Sequence, residues 1–114
     1  MEPRKLDSAF SVVGQLRPED LAQAAEQGFR TVVCNRPDGE APDQPSSLEM
    51  AAEAARLGLA FEYIPVIPGE MDDSDAQRLG KIVSEADGPV LGYCRTGARA
   101  EKMWQRAQQL DAPG

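Results

Sequence analysis

Four short apolar runs, separated by stretches long enough for helices, constrain the fold of this 114-residue chain more than any other feature. FSVV, from Phe10 to Val13, reads as a strand stopped by Gly14, and RTVVCN is a β-branched run that reads as a buried strand. AFEYIPVIP is a third strand that runs into prolines, and PVLGY is a short buried fourth. The intervening segments carry helix signals. In RPEDLAQAAEQGF, Pro18 suits a first helical position, Glu19 and Asp20 suit the positive end of the dipole, and Gly28 suits the stop. Ser46 with Glu49 has capping-box spacing, and Leu48, Ala51, Ala52, Ala55 and Leu57 predict the buried side of the helix that follows. Asp72 or Asp73 suits the cap of the AQRLGKIVSEA helix, and Ala100, Met103, Trp104, Ala107 and Leu110 mark one face of the last helix. Alternating strands and helices predict an α/β fold. A small, mostly parallel sheet flanked by helices would form one domain over 1–114.

In such folds ligands sit at the carboxyl ends of strands. Cys94 lies there, past the last predicted strand and before the last predicted helix. The loop reads Cys94, Arg95, Thr96, Gly97, Ala98, Arg99. Unpaired backbone N–H groups and the dipole at a helix start favour an anion, Arg95 and Arg99 add full charges, and Gly97 lets the backbone curl. A cysteine thiol of pKa about 8.5 falls to roughly 3.5–7.5 in such surroundings, so Cys94 is expected to be a thiolate nucleophile.

Composition narrows the chemistry. The formal net charge of −7 argues against nucleic acid and anionic membrane as partners. The absence of histidine removes His-based triads and most catalytic zinc sites, and neither metal nor cofactor is expected. Two cysteines, no apolar leader and no apolar run of membrane-spanning length suggest an intracellular, cytoplasmic chain with free thiols.

YCRTGARA resembles the signature of the beta-lactamase-hydrolase-like protein, phosphatase-like domain family. VVGQLRPEDLAQAAEQGFRTVVCNRPDGE and AAEAARLGLAFEYIPV also resemble that family, so the likeness covers nearly the whole chain. It implies a small α/β fold related to the dual-specificity cysteine phosphatases, whose active loop would join the last strand to the last helix. It also implies that members occur alone or fused to a persulfide dioxygenase of the metallo-β-lactamase type, which would make such an enzyme a partner.

The loop departs from the phosphatase pattern. Cysteine phosphatases place five residues between nucleophile and arginine, whereas four separate Cys94 from Arg99, and Tyr93 stands where a phosphatase usually has histidine. The six-residue loop is similar to that of rhodanese sulfurtransferases, and a tighter cup suits one charged sulfur better than a phosphoryl group. The leading expectation is therefore a sulfurtransferase that moves sulfane sulfur through a Cys94 persulfide. Persulfide or thiosulfate would be the donor, and sulfite or a thiol such as glutathione the acceptor. The alternatives are a phosphatase with a phosphocysteine intermediate, and a non-catalytic anion-binding or thiol redox module. In either reaction Cys94 and Arg99 would be catalytic, with Arg95, Thr96, Gly97 and Ala98 holding the anion.

Phosphate-ester cleavage would need a general acid. The candidates are Asp72 and Asp73, which also fit helix capping, and Asp38 with Glu40, where Asp38 also fits a turn beside Pro37 and Gly39. Cys34 fits either a resolving thiol or core packing. Arg36 fits either a source of positive field or a partner for Asp38 or Glu40.

Overall fold

The computed structural model describes residues 1–111, so the last three residues of the expected 1–114 domain lie outside the described residues. Nine elements follow one another. They are β1 (Arg4–Lys5), β2 (Phe10–Val13), α1 (Asp20–Glu26), β3 (Thr31–Cys34), α2 (Ser47–Arg56), β4 (Ala60–Tyr63), α3 (Asp73–Glu85), β5 (Val90–Tyr93) and α4 (Ala98–Asp111). The strands form one sheet in the order β1-β2-β5-β3-β4. Only β1 runs antiparallel, which gives the mostly parallel sheet that the alternation predicts.

The last strand is the central one. In β5 all four residues are buried, because helices cover both faces of the sheet. Successive side chains of β5 point to opposite faces. Val90 joins a core made by β2, α3 and α4, whereas Leu91 and Tyr93 join a core made with α1 and α2. In the first core the Phe10 and Trp104 rings stack at 4.9 Å between centroids. Gly92 makes room for that ring, since a Cβ there would come within 2.6 Å of Phe10. Central placement of β5 puts Cys94 at the middle of the sheet's carboxyl edge.

Three expectations need correction. Pro18 lies in a turn ahead of α1, not at its first position. Asp20 and Leu21 donate to the carbonyls of Arg17 and Pro18, and the Asp20 carboxylate accepts from the Arg17 N–H at 2.8 Å, so the tight turn delays the helix. The buried stripe of α2 is Met50 and Ala54, with Ala51 and Leu57 partly covered, while Leu48 is 81% exposed. Both stripes have helical spacing, and packing selects the one that puts the larger Met50 into the core. The β1 strand went unseen because two exposed residues carry no alternation.

Candidate active site

Cys94 is 1% exposed and its Sγ accepts the Gly97 N–H at 3.1 Å. That contact requires the backbone to double back within three residues, and Gly97 permits it with φ +95°. The Gly97 carbonyl accepts the Glu101 N–H, so the residue immediately before α4 has no side chain to cap it. Thr96 Oγ1 accepts from the Ala98 N–H at 3.3 Å. From below, the Gln15 N–H donates to the Arg95 carbonyl at 3.2 Å. Gly14 lies so close that a Cβ there would meet the same oxygen at 3.2 Å.

Arg99 is the most tightly held member of the loop. Its Nη1 and Nη2 meet the Glu40 carboxylate at 2.7 and 2.8 Å, and Nη1 also donates to the Val66 carbonyl at 2.9 Å. Glu40 also accepts from Arg36 Nε at 2.9 Å, and Arg36 Nη1 reaches Gln15 Oε1 at 3.0 Å. A continuous chain, Gln15–Arg36–Glu40–Arg99, therefore ties three distant segments under one loop. The Glu40 side chain is 24% exposed, and its two guanidinium partners, Arg99 first, depress its pKa to about 2. The Arg99 guanidinium is raised by Glu40 chiefly and by the neighbouring Cys94 sulfur in addition.

Among the sequence-predicted residues, the structure brings together Cys94, Arg95, Thr96, Gly97, Ala98 and Arg99. Arg36 joins them at one remove, paired with Glu40. A cavity of about 470 Å³ opens beside the loop and is lined on that side by Arg95, Thr96, Ala98 and Arg99.

Each of the proposed acids is engaged by other groups in this structure. The Asp38 carboxylate accepts from the Ser47 N–H and Oγ at 2.8 and 2.7 Å, at the start of α2. Asp72 caps α3 reciprocally with Asp75, and its pKa is lowered by the Ser74 hydroxyl and the Asp75 N–H. Asp73 is paired with Arg106 through both oxygens at 2.8 and 2.9 Å, which lowers its pKa too. Glu40 does reach the site, but as the ionised anchor of Arg99. A carboxyl with a pKa of about 2 is ionised at neutral pH and has no proton to give.

Cys34 is buried in the core beside Tyr93, its thiol donates to the Arg36 carbonyl at 3.4 Å, and burial raises its pKa. Both cysteines are free, and the geometry favours core packing for Cys34 over a resolving role. Among the described residues no group of three or more potential ligands is placed to hold a metal ion. No helix of the described residues is long and apolar enough to cross a membrane. Sequence reasoning missed the Glu40–Arg99 clamp and the Gln15 contact, because each joins segments far apart in the chain.

The profile of the beta-lactamase hydrolase-like protein, phosphatase-like domain, matches residues 2–111. The beta-lactamase hydrolase-like protein of Xylella fastidiosa (strain Temecula1 / ATCC 700964) is 30% identical over 106 residues, which are 93% of this chain and 25% of that protein. The chain thus spans about a quarter of the length of the curated relatives it matches. A solved structure from Neisseria meningitidis Z2491, whose phosphatase name is provisional, superposes with a TM-score of 0.85 at 31% identity, covering 96% of this chain and 78% of that one. A similarly named structure from Shewanella putrefaciens CN-32 shares the fold at 17% identity, with a TM-score of 0.80 over 98% of this chain and 74% of that one. These likenesses are phosphatase-like. They lend nothing to the expectation of a sulfurtransferase, and the phosphatase alternative fits them better.

Proposed function

This chain belongs to the beta-lactamase hydrolase-like protein, phosphatase-like domain family, and from that membership we propose that it is a cysteine-dependent phosphatase-type enzyme. Its substrates would carry leaving groups that depart without a proton. The observation that carries the reading is Arg99, anchored by Glu40 beside a buried Cys94 whose sulfur already accepts a backbone N–H. In the proposed reaction the Cys94 thiolate attacks phosphorus and the phosphorus–oxygen bond breaks. The leaving oxygen departs with the electron pair, and water then hydrolyses the phosphocysteine to inorganic phosphate and the free thiol. Helix-start N–H groups and the Arg99 guanidinium would hold the equatorial oxygens.

The leaving-group restriction comes from the carboxylates. Glu40 is ionised, and Asp38, Asp72 and Asp73 are engaged elsewhere. An enzyme that lacks a proton donor favours aryl phosphates, acyl phosphates and phosphoanhydrides over alkyl esters.

A second reading rests on one specific observation, the four-residue spacing between Cys94 and Arg99. In that reading the Cys94 thiolate attacks the outer sulfur of thiosulfate or a persulfide. The sulfur–sulfur bond breaks, sulfite or a thiolate leaves with the electron pair, and an acceptor thiolate or sulfite removes the sulfur from the Cys94 persulfide. This chemistry needs no general acid either.

One pair of measurements separates the readings. A series of aryl phosphates should be turned over faster as the leaving phenol becomes more acidic, and Cys94→Ser should lower turnover at least about a thousand-fold. Intact mass after thiosulfate treatment reports the alternative. A gain of one sulfur on Cys94, with no Cys94-dependent phosphate release, would replace the phosphatase reading with sulfur transfer.

A further inference from the structure

The cavity beside the Arg95–Arg99 loop, which the buried Cys94 itself does not line, gathers positive charge. The chain carries 19 acidic residues, yet none of them lines this space. Three cations do: Arg95 and Arg99 from the loop, and Lys102 from the next turn of α4. Arg99 is already committed to Glu40. Arg95 and Lys102 are exposed, and among the described residues neither forms an ion pair, whereas Arg30 is the one other arginine of which that is true. The remaining wall is apolar, with Val66, Pro68 and Met71 from the segment between β4 and α3.

We propose that Lys102 determines specificity by receiving a second anionic group of the substrate, a carboxylate or phosphate, separated from the reacting group by an uncharged, partly apolar spacer. Residues three and four apart share a helix face, so Lys102 stands above Arg99 and Ala98, roughly 5 Å further along the axis. A small inorganic anion seated at Cys94 leaves that lysine and the apolar wall unused. A substrate with a six-membered ring or a chain of similar length between two anionic ends reaches both. In an acidic protein, a pair of unpartnered cations at the rim also concentrates such dianions against the global field. The inference rests on the reading that the site beside Cys94 takes a phosphoryl group.

The test is calorimetric binding of phenyl phosphate and 4-carboxyphenyl phosphate to Cys94→Ser protein, in which no turnover occurs. The carboxylated probe should bind roughly three- to five-fold more tightly, as suits one exposed ion pair. Lys102→Gln should bring the two probes to equal affinity. Lys102→Arg should restore the preference, and Lys81→Gln, on the exposed side of α3, should keep it. Equal affinities in the Cys94→Ser protein, a preference that survives Lys102→Gln, or no binding of either probe would overturn the proposal. Failure of the phosphatase reading is seen separately, as absence of phosphate release by the protein with Cys94 intact.

Discussion

The starts of α3 and α4 both follow a strand at the carboxyl edge of the sheet, and they are finished in opposite ways. At α3 the Asp72 side chain accepts the Asp75 N–H, and Asp75 reaches back to the Asp72 N–H, so two otherwise unpartnered donors are used up by carboxylates. At α4 the equivalent position is Gly97, which has nothing to offer, and its N–H points at the Cys94 sulfur. One helix start is closed by its own side chains and chemically quiet. The other, the open one of the two, has no carboxylate cap: Thr96 Oγ1 accepts the Ala98 N–H, the Cys94 sulfur takes the Gly97 N–H, and two arginines stand alongside. The acidic residues near the edge of the site are engaged in a helix cap and an ion pair. They complete a helix, whereas the loop at α4 carries positive charge, as the proposed anion site requires.

Making the open start resemble the closed one should cause the largest change. Gly97→Asp puts a carboxylate at the beginning of α4, and because a Cβ at this position would face the Val13 backbone at 3.5 Å and Val12 Cγ2 at 3.7 Å, the charge is driven against β2 and displaces the loop around Cys94. Cys94-dependent turnover is expected to fall by more than about a hundred-fold, comparable to losing a preorganised N–H donor as the Gly97 N–H is pulled away from the Cys94 sulfur. Gly97→Ala should cost less activity and less stability. Its methyl meets Val13 in ordinary contact and strains the positive φ, at about 1–2 kcal/mol, whereas the aspartate also buries an unpaired carboxylate against Val12 and Val13. Thermal unfolding and initial rates on both variants check the two orderings. If the alanine variant is the less active, the open helix start is not where the anion binds.

Much of this contrast was readable in the chain. Cys94, Gly97 and the two arginines lie within six consecutive positions, so local spacing alone places them at a strand–helix junction. Ser46 and Glu49 form the box that their spacing announces. What spacing could not convey was partnership across the fold. Glu40 lies 59 residues from Arg99, and Asp38 looked equally able to reach the site until Ser47 claimed its carboxylate. The stripe of α2 was misread for a related reason. Alanines satisfy either face of a helix, and only contact with the sheet decides that Met50, not Leu48, turns inward.

The second test weakens the open start from outside. Glu40→Gln removes the carboxylate that holds Arg99, leaves the loop sequence intact, and should lower kcat/KM about ten-fold as Arg99 loses its orientation. The same variant has a pH signature. The folded-state pKa of Glu40 is depressed from its ordinary 4.5 to about 2, so the clamp contributes fully above the ordinary value and is lost as pH falls from about 4.5 through about 2. Tm of the unmodified protein should drop more steeply over that window than Tm of Glu40→Gln. Parallel curves would mean that the ion pair does not hold the loop.

The smallest effect should come from opening the closed start. Asp72→Ala removes the α3 cap and returns the Asp75 N–H to solvent, at a loss of a few degrees in Tm. Its pKa is lowered in the folded protein, chiefly by the Ser74 hydroxyl. Its stabilisation is therefore present above the ordinary carboxyl value of 3.8 and fades as pH falls below it, and the Tm difference between Asp72→Ala and the unmodified protein should shrink there. Turnover at neutral pH should be unchanged, because the carboxylate is occupied by α3 and supplies no proton to a leaving group. The comparison of the two helix starts turns on that second measurement. A rate that falls with Asp72→Ala, and falls most for poor leaving groups, would make Asp72 a general acid and give the closed start a part in the chemistry.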